Sequence, residues 1–175
     1  MNIILVGFMG TGKTVVGKKL AKRFKMEFID LDDKIEETEG RTILEIFEQE
    51  GEIYFRRLEK QAVKDILGIG ESHATLKDSV IATGGGVVLD DENIDNLKRI
   101  GIVICLTATP DAILKRTASE THRPLLKNVE PKKRIEEFLK YREPFYKKAD
   151  YIIDTSYLEV DGVVEEILKS LKLDV

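Results

Sequence analysis

The sequence predicts an α/β protein of three layers (α/β/α): a five-stranded parallel sheet with helices on both faces. Three observations carry that prediction. Apolar runs recur along the chain with helical patterns between them. Most of these runs are continuous rather than alternating, as in strands buried on both faces. The first run leads directly into Gly7-Phe8-Met9-Gly10-Thr11-Gly12-Lys13-Thr14. That stretch matches G-x-x-x-x-G-K-[ST], a loop that cradles phosphate between a strand and a helix.

The elements follow in order. Asn2–Val6 is the first strand. The glycines after it let backbone N–H groups turn inward around phosphate oxygens. A helix follows, with Val16, Leu20, Ala21 and Phe24 on its apolar face, and its N-terminus favours an anion. Lys13 is placed to reach β- and γ-phosphates, and the Thr14 hydroxyl to ligate Mg²⁺. Glu27–Asp30 is the second strand. From about Asp33 to Leu67 the pattern is helical, with Ile43, Leu44 and Phe47 before a Gly51-Glu52 break and Leu58, Ala62, Val63 and Ile66 after it. Gly68 to Ser79 reads as a polar surface loop. Val80–Thr83, Ile102–Leu106 and Tyr151–Asp154 are the remaining strands. The segment from about Thr117 to Pro131 is polar. The last helix carries Val160, Val163, Val164, Ile167, Leu168 and Leu171 as one stripe facing the sheet. In an α/β kinase, a helical insertion after the second strand holds the acceptor, and a segment before a late helix forms a lid.

The chain has 175 residues, enough for one domain with a sizeable core. With 42% hydrophobic and 34% charged residues it reads as a soluble globular protein. A net charge of −4 gives no basic footprint for nucleic acid. No apolar run approaches the roughly 20 residues of a membrane span. The short N-terminal run lacks a basic leader and reads as a strand rather than a signal peptide. The single cysteine, Cys105, lies in an apolar run and reads as a core residue. One cysteine makes no internal disulfide, which suits a reducing cytosol. A cytoplasmic monomer is expected, since no second exposed apolar stripe is evident.

Several polar residues are candidates for chemistry. Asp30 and Asp32 stand at the carboxyl end of the second strand, where open sheets bind ligands. Strand alternation points both carboxylates to one side, Asp30 toward a metal and Asp32 toward an acceptor hydroxyl. The competing reading is a polar strand exit with Asp33 as a helix N-cap. Arg56 and Glu59 are spaced i, i+3 on a helix. They are either a surface ion pair or an arginine fork held for an anionic substrate. Gly84-Gly85-Gly86 is either a bare turn or a backbone surface for a substrate. Arg116, Arg123 and Arg142 fall in the second half of the chain. Arg123 lies in the lid segment, where an arginine closes over transferring phosphate, and Arg142 precedes Pro144 near a helix end. His73 and His122 have no ligand spacing. Lys132-Lys133-Arg134 and Lys147-Lys148 read as solvated helix faces.

Taken together, the chain resembles the shikimate kinase family, whose fold is of the nucleoside-monophosphate-kinase-like P-loop type. The resemblance runs through GFMGTGKT, FIDLDDKIE with Gly40 beyond it, ILEIFEQEGEIYFRRLE, ATGGG, RPLL and YREPFY in order. It implies one domain over 1–175, with an acceptor-binding insertion at about 31–67 and a lid at about 117–131. It implies ATP as co-substrate with Mg²⁺, and transfer of phosphate to the 3-hydroxyl of shikimate. Gly10, Thr11, Gly12, Lys13, Thr14 and Val15 would hold the phosphates. Arg116, Thr155 and Ser156 would lie near adenine, and Arg123 on the phosphates. Thr14 and Asp30 would serve the metal. Asp32 would bind the acceptor hydroxyl and act as base. Arg56, Gly84, Gly85, Gly86 and Arg142 would bind shikimate, with Glu59 orienting Arg56. Lys13, Asp32 and Arg123 would be catalytic.

Two rival classes remain at the level of sequence. One is a kinase for another small acceptor, such as gluconate or a nucleoside monophosphate. The other is a nucleotide-dependent switch or binding module. A guanine-specific switch needs N-K-x-D, and no asparagine here precedes a lysine.

Overall fold

The computed structural model describes residues 1–68, 78–118 and 130–173. Its strands are β1 (Ile3–Val6), β2 (Glu27–Asp30), β3 (Ser79–Ala82), β4 (Ile102–Thr107) and β5 (Tyr151–Asp154). They form one parallel sheet in the order β2-β3-β1-β4-β5. The helices are α1 (Lys13–Phe24), α2 (Leu31–Glu39), α3 (Ile43–Ile66), α4 (Asp91–Ile100), α5 (Pro110–Thr117), α6 (Pro131–Tyr146) and α7 (Val160–Leu171). No helix among the described residues is long and apolar enough to cross a membrane.

Alternation along the strands makes two cores. Ile3 and Leu5 join Val80, Ile104 and Ile153 against Leu20 of α1 and Ile167 of α7. Ile4 and Val6 join Ile81, Val103 and Cys105 against Leu97 of α4, Ile113 of α5 and Ile135 of α6. Each such fully buried side chain contributes about 1.5–3 kcal/mol. Both faces of β1 are therefore apolar, which is why its sequence runs without alternation. A third, smaller cluster of Ile35, Ile46 and Phe55 lies between α2 and α3. The ring of Phe47 lies 4.8 Å from that of Phe55.

Three local expectations are refined. The helix after β2 begins at Leu31, so Asp30 and not Asp33 is its N-cap. The Asp30 side chain accepts from the Asp32 backbone N–H at 3.1 Å, satisfying one of the four orphan donors of a helix start. Asp32 thus sits in the first turn of α2, and a cap rather than strand alternation sets its direction. The Gly51 break is real: φ is 80° and ψ 178° in the middle of α3, a conformation closed to most side chains. The helix carrying Arg142 runs two residues past Pro144, to Tyr146. A proline removes only its own bond to the residue four back, here exposed Lys140. Arg123, His122, His73 and most of the 117–131 and 68–79 segments lie outside the described residues.

Candidate active site

The phosphate loop closes as its glycines allow. Gly7 has φ 138°, and a Cβ there would stand 2.2 Å from the Leu106 carbonyl oxygen, so the chain passes β4 only without a side chain. Gly10 and Gly12 also have positive φ. The Thr11 hydroxyl donates to the Phe8 carbonyl at 2.7 Å, and the Lys13 ammonium donates to the same oxygen at 3.0 Å. Lys13 opens α1 with Gly12 as its cap. Beside it the Thr14 hydroxyl donates to Asp30 Oδ2 at 2.9 Å.

A cavity of about 190 Å³ adjoins the loop on the β5 side. Thr11, Val15, Arg116, Thr155, Leu158 and Val160 are among its walls. Arg116 is pinned there. Its guanidinium donates to the Thr155 hydroxyl at 3.0 Å, the Thr155 carbonyl at 2.5 Å and the Gly10 carbonyl at 3.3 Å. Ser156 does not wall this cavity. Its hydroxyl accepts from the Thr109 N–H at 2.9 Å and donates to Asp154. Leu158 and Val160 are apolar walls that spacing alone does not reveal.

On the other side of the loop, α2, α3, α6 and Gly84-Gly85-Gly86 form a polar cup. Glu59 is 1% exposed and Arg142 3% exposed. Glu59 Oε2 accepts from Arg56, which also reaches Glu52 at 2.8 Å. The pair is thus half-buried: the Glu59 carboxylate is enclosed, while Arg56 keeps a quarter of its side chain exposed. Arg142 donates to the Gly85 carbonyl at 3.1 Å, and the Tyr146 hydroxyl donates to the same oxygen at 2.9 Å. The Arg142 guanidinium lies 5.3 Å from the Phe8 ring and 5.1 Å from the Phe138 ring, within cation–π range of both. Phe8 and Tyr146 are contacts the motif reading missed. The i, i+4 spacing of Arg142 and Tyr146 on one helix is the signal that could have found the second.

Burial governs the charges here. It pushes the Asp32 carboxyl up to about 6, with the charge of Asp30 adding and that of Lys13 opposing. It pushes Glu59 up to about 7 against the pull of Arg56. Asp32 Oδ1, Glu59 Oε1 and Arg142 Nε are buried and have no hydrogen-bond partner among the described residues. Such atoms cost free energy unless a ligand or water completes them.

The glycines carry a test of this cup. A Cβ on Gly86 would fall 2.0 Å from an Arg56 nitrogen and 2.4 Å from its Cζ, while φ of −104° suits any residue. Gly86→Ala should displace only the tip of Arg56. The expected result is about a 10- to 100-fold loss in kcat/KM for the acceptor, with an unchanged KM for nucleotide and a melting temperature near that of the parent. Steady-state kinetics with calorimetry checks both.

Among proteins with a phosphate loop, a parallel sheet with a polar cup of arginines, carboxylates and bare glycine backbone beside the loop points to the small-molecule kinases. Comparison with known proteins narrows this. The family model described as Shikimate kinase matches residues 9–172. A shikimate kinase of Thermoanaerobacter pseudethanolicus is 50% identical over 97% of this chain and 95% of its own length. A shikimate kinase of Acinetobacter baumannii, solved in complex with shikimate, superposes with a TM-score of 0.89 at 38% identity, over 98% of this chain and 92% of that one. One from Aquifex aeolicus gives 0.81 at 34% identity, over 98% and 96%. The chain belongs to the shikimate kinase family.

Proposed function

We propose that this chain transfers the γ-phosphoryl group of ATP to the 3-hydroxyl of shikimate, giving ADP and 3-phosphoshikimate for chorismate and aromatic amino-acid synthesis. The observation that carries the reading is the cup itself: Arg56, Arg142, Asp32 and bare glycine backbone converge beside the phosphate loop. An arginine fork matches a carboxylate, and a buried carboxylate acceptor matches a ring hydroxyl.

The residues divide the work. Gly10–Val15 hold the phosphates, and Lys13 exchanges the Phe8 carbonyl for phosphate oxygen. Arg116, Thr155 and the apolar walls of the neighbouring cavity receive adenine, with Ser156 bracing the turn behind them. Arg56 and Arg142 bind the acceptor carboxylate, Gly84, Gly85 and Gly86 its ring, and Glu59 holds Arg56. The acceptor oxygen attacks the γ-phosphorus as the bond to the leaving ADP oxygen breaks, and the hydroxyl proton passes to Asp32. With its affinity for protons raised by burial, Asp32 works nearer neutral pH than an ordinary carboxylate does. The family resemblance assigns Arg123 to the departing charge; that residue lies outside the described residues. Mg²⁺ fits the Thr14 hydroxyl and Asp30 carboxylate, hard oxygen donors side by side, and when bound would neutralise phosphate charge. A cytoplasmic monomer is consistent with this assignment.

The test is ADP release with ATP and Mg²⁺ against a panel of shikimate, gluconate, AMP and CMP. Release that depends on shikimate is expected. Release driven by another panel member would overturn the roles given to Arg56 and Arg142.

A further inference from the structure

Glu59 is almost wholly buried, yet only one of its oxygens is used. Oε2 accepts from Arg56, whereas Oε1 has no hydrogen-bond partner among the described residues. That bare oxygen faces the Gly84 α-carbon, 2.7 Å from where a methyl group would sit. Asp32 Oδ1, also bare, reaches the same point from α2 at 2.7 Å. Two bare carboxylate oxygens so close disfavour a second negative charge.

The charged groups around Glu59 are few. Arg56 stands on its own helix, Arg142 on α6 and Asp32 on α2. Tyr146 lies beside both arginines, Glu52 shares Arg56 from the exposed side, and Asp30, Lys13, Asp33 and Glu36 surround Asp32. Among the described residues Arg56 alone hydrogen-bonds Glu59. Burial favours the protonated carboxyl, and the charge of Arg56, with a smaller share from Arg142, opposes it.

We propose that Glu59 takes up a proton from solvent on Oε1 when the anionic acceptor binds, and releases it when the product leaves. The proposal rests on the reading of the acceptor as a carboxylate. That carboxylate claims the Arg56 fork, so one guanidinium charge is divided between two anions. Water cannot make up the loss at a buried oxygen. A proton can, and the only bond formed is O–H. The group already titrates near neutrality because burial raises it, so a further rise moves it through the working range. Linkage fixes the direction: the acceptor binds with net proton uptake. Uptake vanishes in acid, where the free enzyme already carries the proton. Glu59 acts here through Arg56 and does not touch the reacting atoms.

The experiment is titration calorimetry of the protein with shikimate alone, in phosphate and in Tris at about pH 7.5, repeated in two buffers of unlike ionisation enthalpy near pH 5.5. The wild type should show a buffer-dependent enthalpy equal to about half to one proton taken up per shikimate, falling toward zero in acid. Glu59→Gln keeps an oxygen for Arg56 but takes no proton, so it should bind with no buffer dependence. Should that variant fail to fold, the ¹³Cδ resonance of Glu59 in the wild type decides: it should move toward the protonated position on adding shikimate. Binding without proton uptake, equal uptake in Glu59→Gln, or a stationary resonance overturns the proposal alone. No binding of shikimate at all overturns the acceptor assignment and this proposal with it.

Discussion

Replacing Asp32 by asparagine is expected to give a protein that is more stable and about 10²- to 10⁴-fold slower in phosphoryl transfer. The two effects have one cause. The buried carboxyl binds its proton more tightly in the fold than in the unfolded chain, at about 6 against 3.8. The stabilisation from that proton is complete below about pH 4 and is lost as pH rises through about 6. Above that range the wild type carries an ionised group that the fold disfavours. Asparagine has nothing to ionise, and its amide can donate to the bare Glu59 oxygen. The variant should therefore gain about 3 kcal/mol at pH 8, and the two proteins should converge near pH 4. Denaturant titrations across that range, beside single-turnover rates, check both halves. A variant that is slow but no more stable than its parent would mean that water or a cation already satisfies Asp32.

Truncating Arg56 should have the next largest effect. Arg56→Ala is expected to lose about 2–5 kcal/mol of acceptor interaction, the range for removing one partner of a desolvated charge pair. Arg56→Lys should recover little of it, because an ammonium cannot offer two parallel N–H bonds to a carboxylate. The fold suffers too, since Glu59 is left buried without its counter-ion. Adding Glu59→Gln to Arg56→Ala should restore much of the stability and none of the acceptor affinity. That double-mutant cycle separates the structural share of the pair from its binding share. Wild-type acceptor kinetics in either single variant at Arg56 would remove it from the site.

These effects also mark how far the sequence could be read. The phosphate loop is legible because its glycine spacing and its place between a strand and a helix are written locally, although Arg116 and Thr155 brace it from far along the chain. The central strands β1, β3 and β4 are legible because burial on both faces leaves them largely apolar, whereas the edge strands β2 and β5 are part exposed and end in aspartates. The i, i+3 spacing of Arg56 and Glu59 announces a pair but not its burial. That burial depends on the close approach of Gly84 from a distant part of the chain, and no helical pattern encodes it. Asp32 was expected at a strand end because the apolar run stops there, yet the Asp30 side chain caps a helix one residue later. Phe8 escaped notice because it is a variable position of the phosphate motif. Its ring matters only once α6 has folded back to bring Arg142 over it.

The small cluster of Ile35, Ile46 and Phe55 has a consequence of its own. These side chains bury one another between α2 and α3 as a cluster of their own, joined to one sheet-face core through Ala62. Two kinds of change fall mostly on different positions. Substitutions on the α2–α3 surface can reshape the cup while the sheet and phosphate loop keep their packing. Substitutions in the sheet core can alter thermal tolerance while leaving the cup's outline intact. A lineage carrying this fold can adapt to temperature and to the shape of its acceptor along largely separate sets of positions, with the Ala62 seam as the place where the two histories meet.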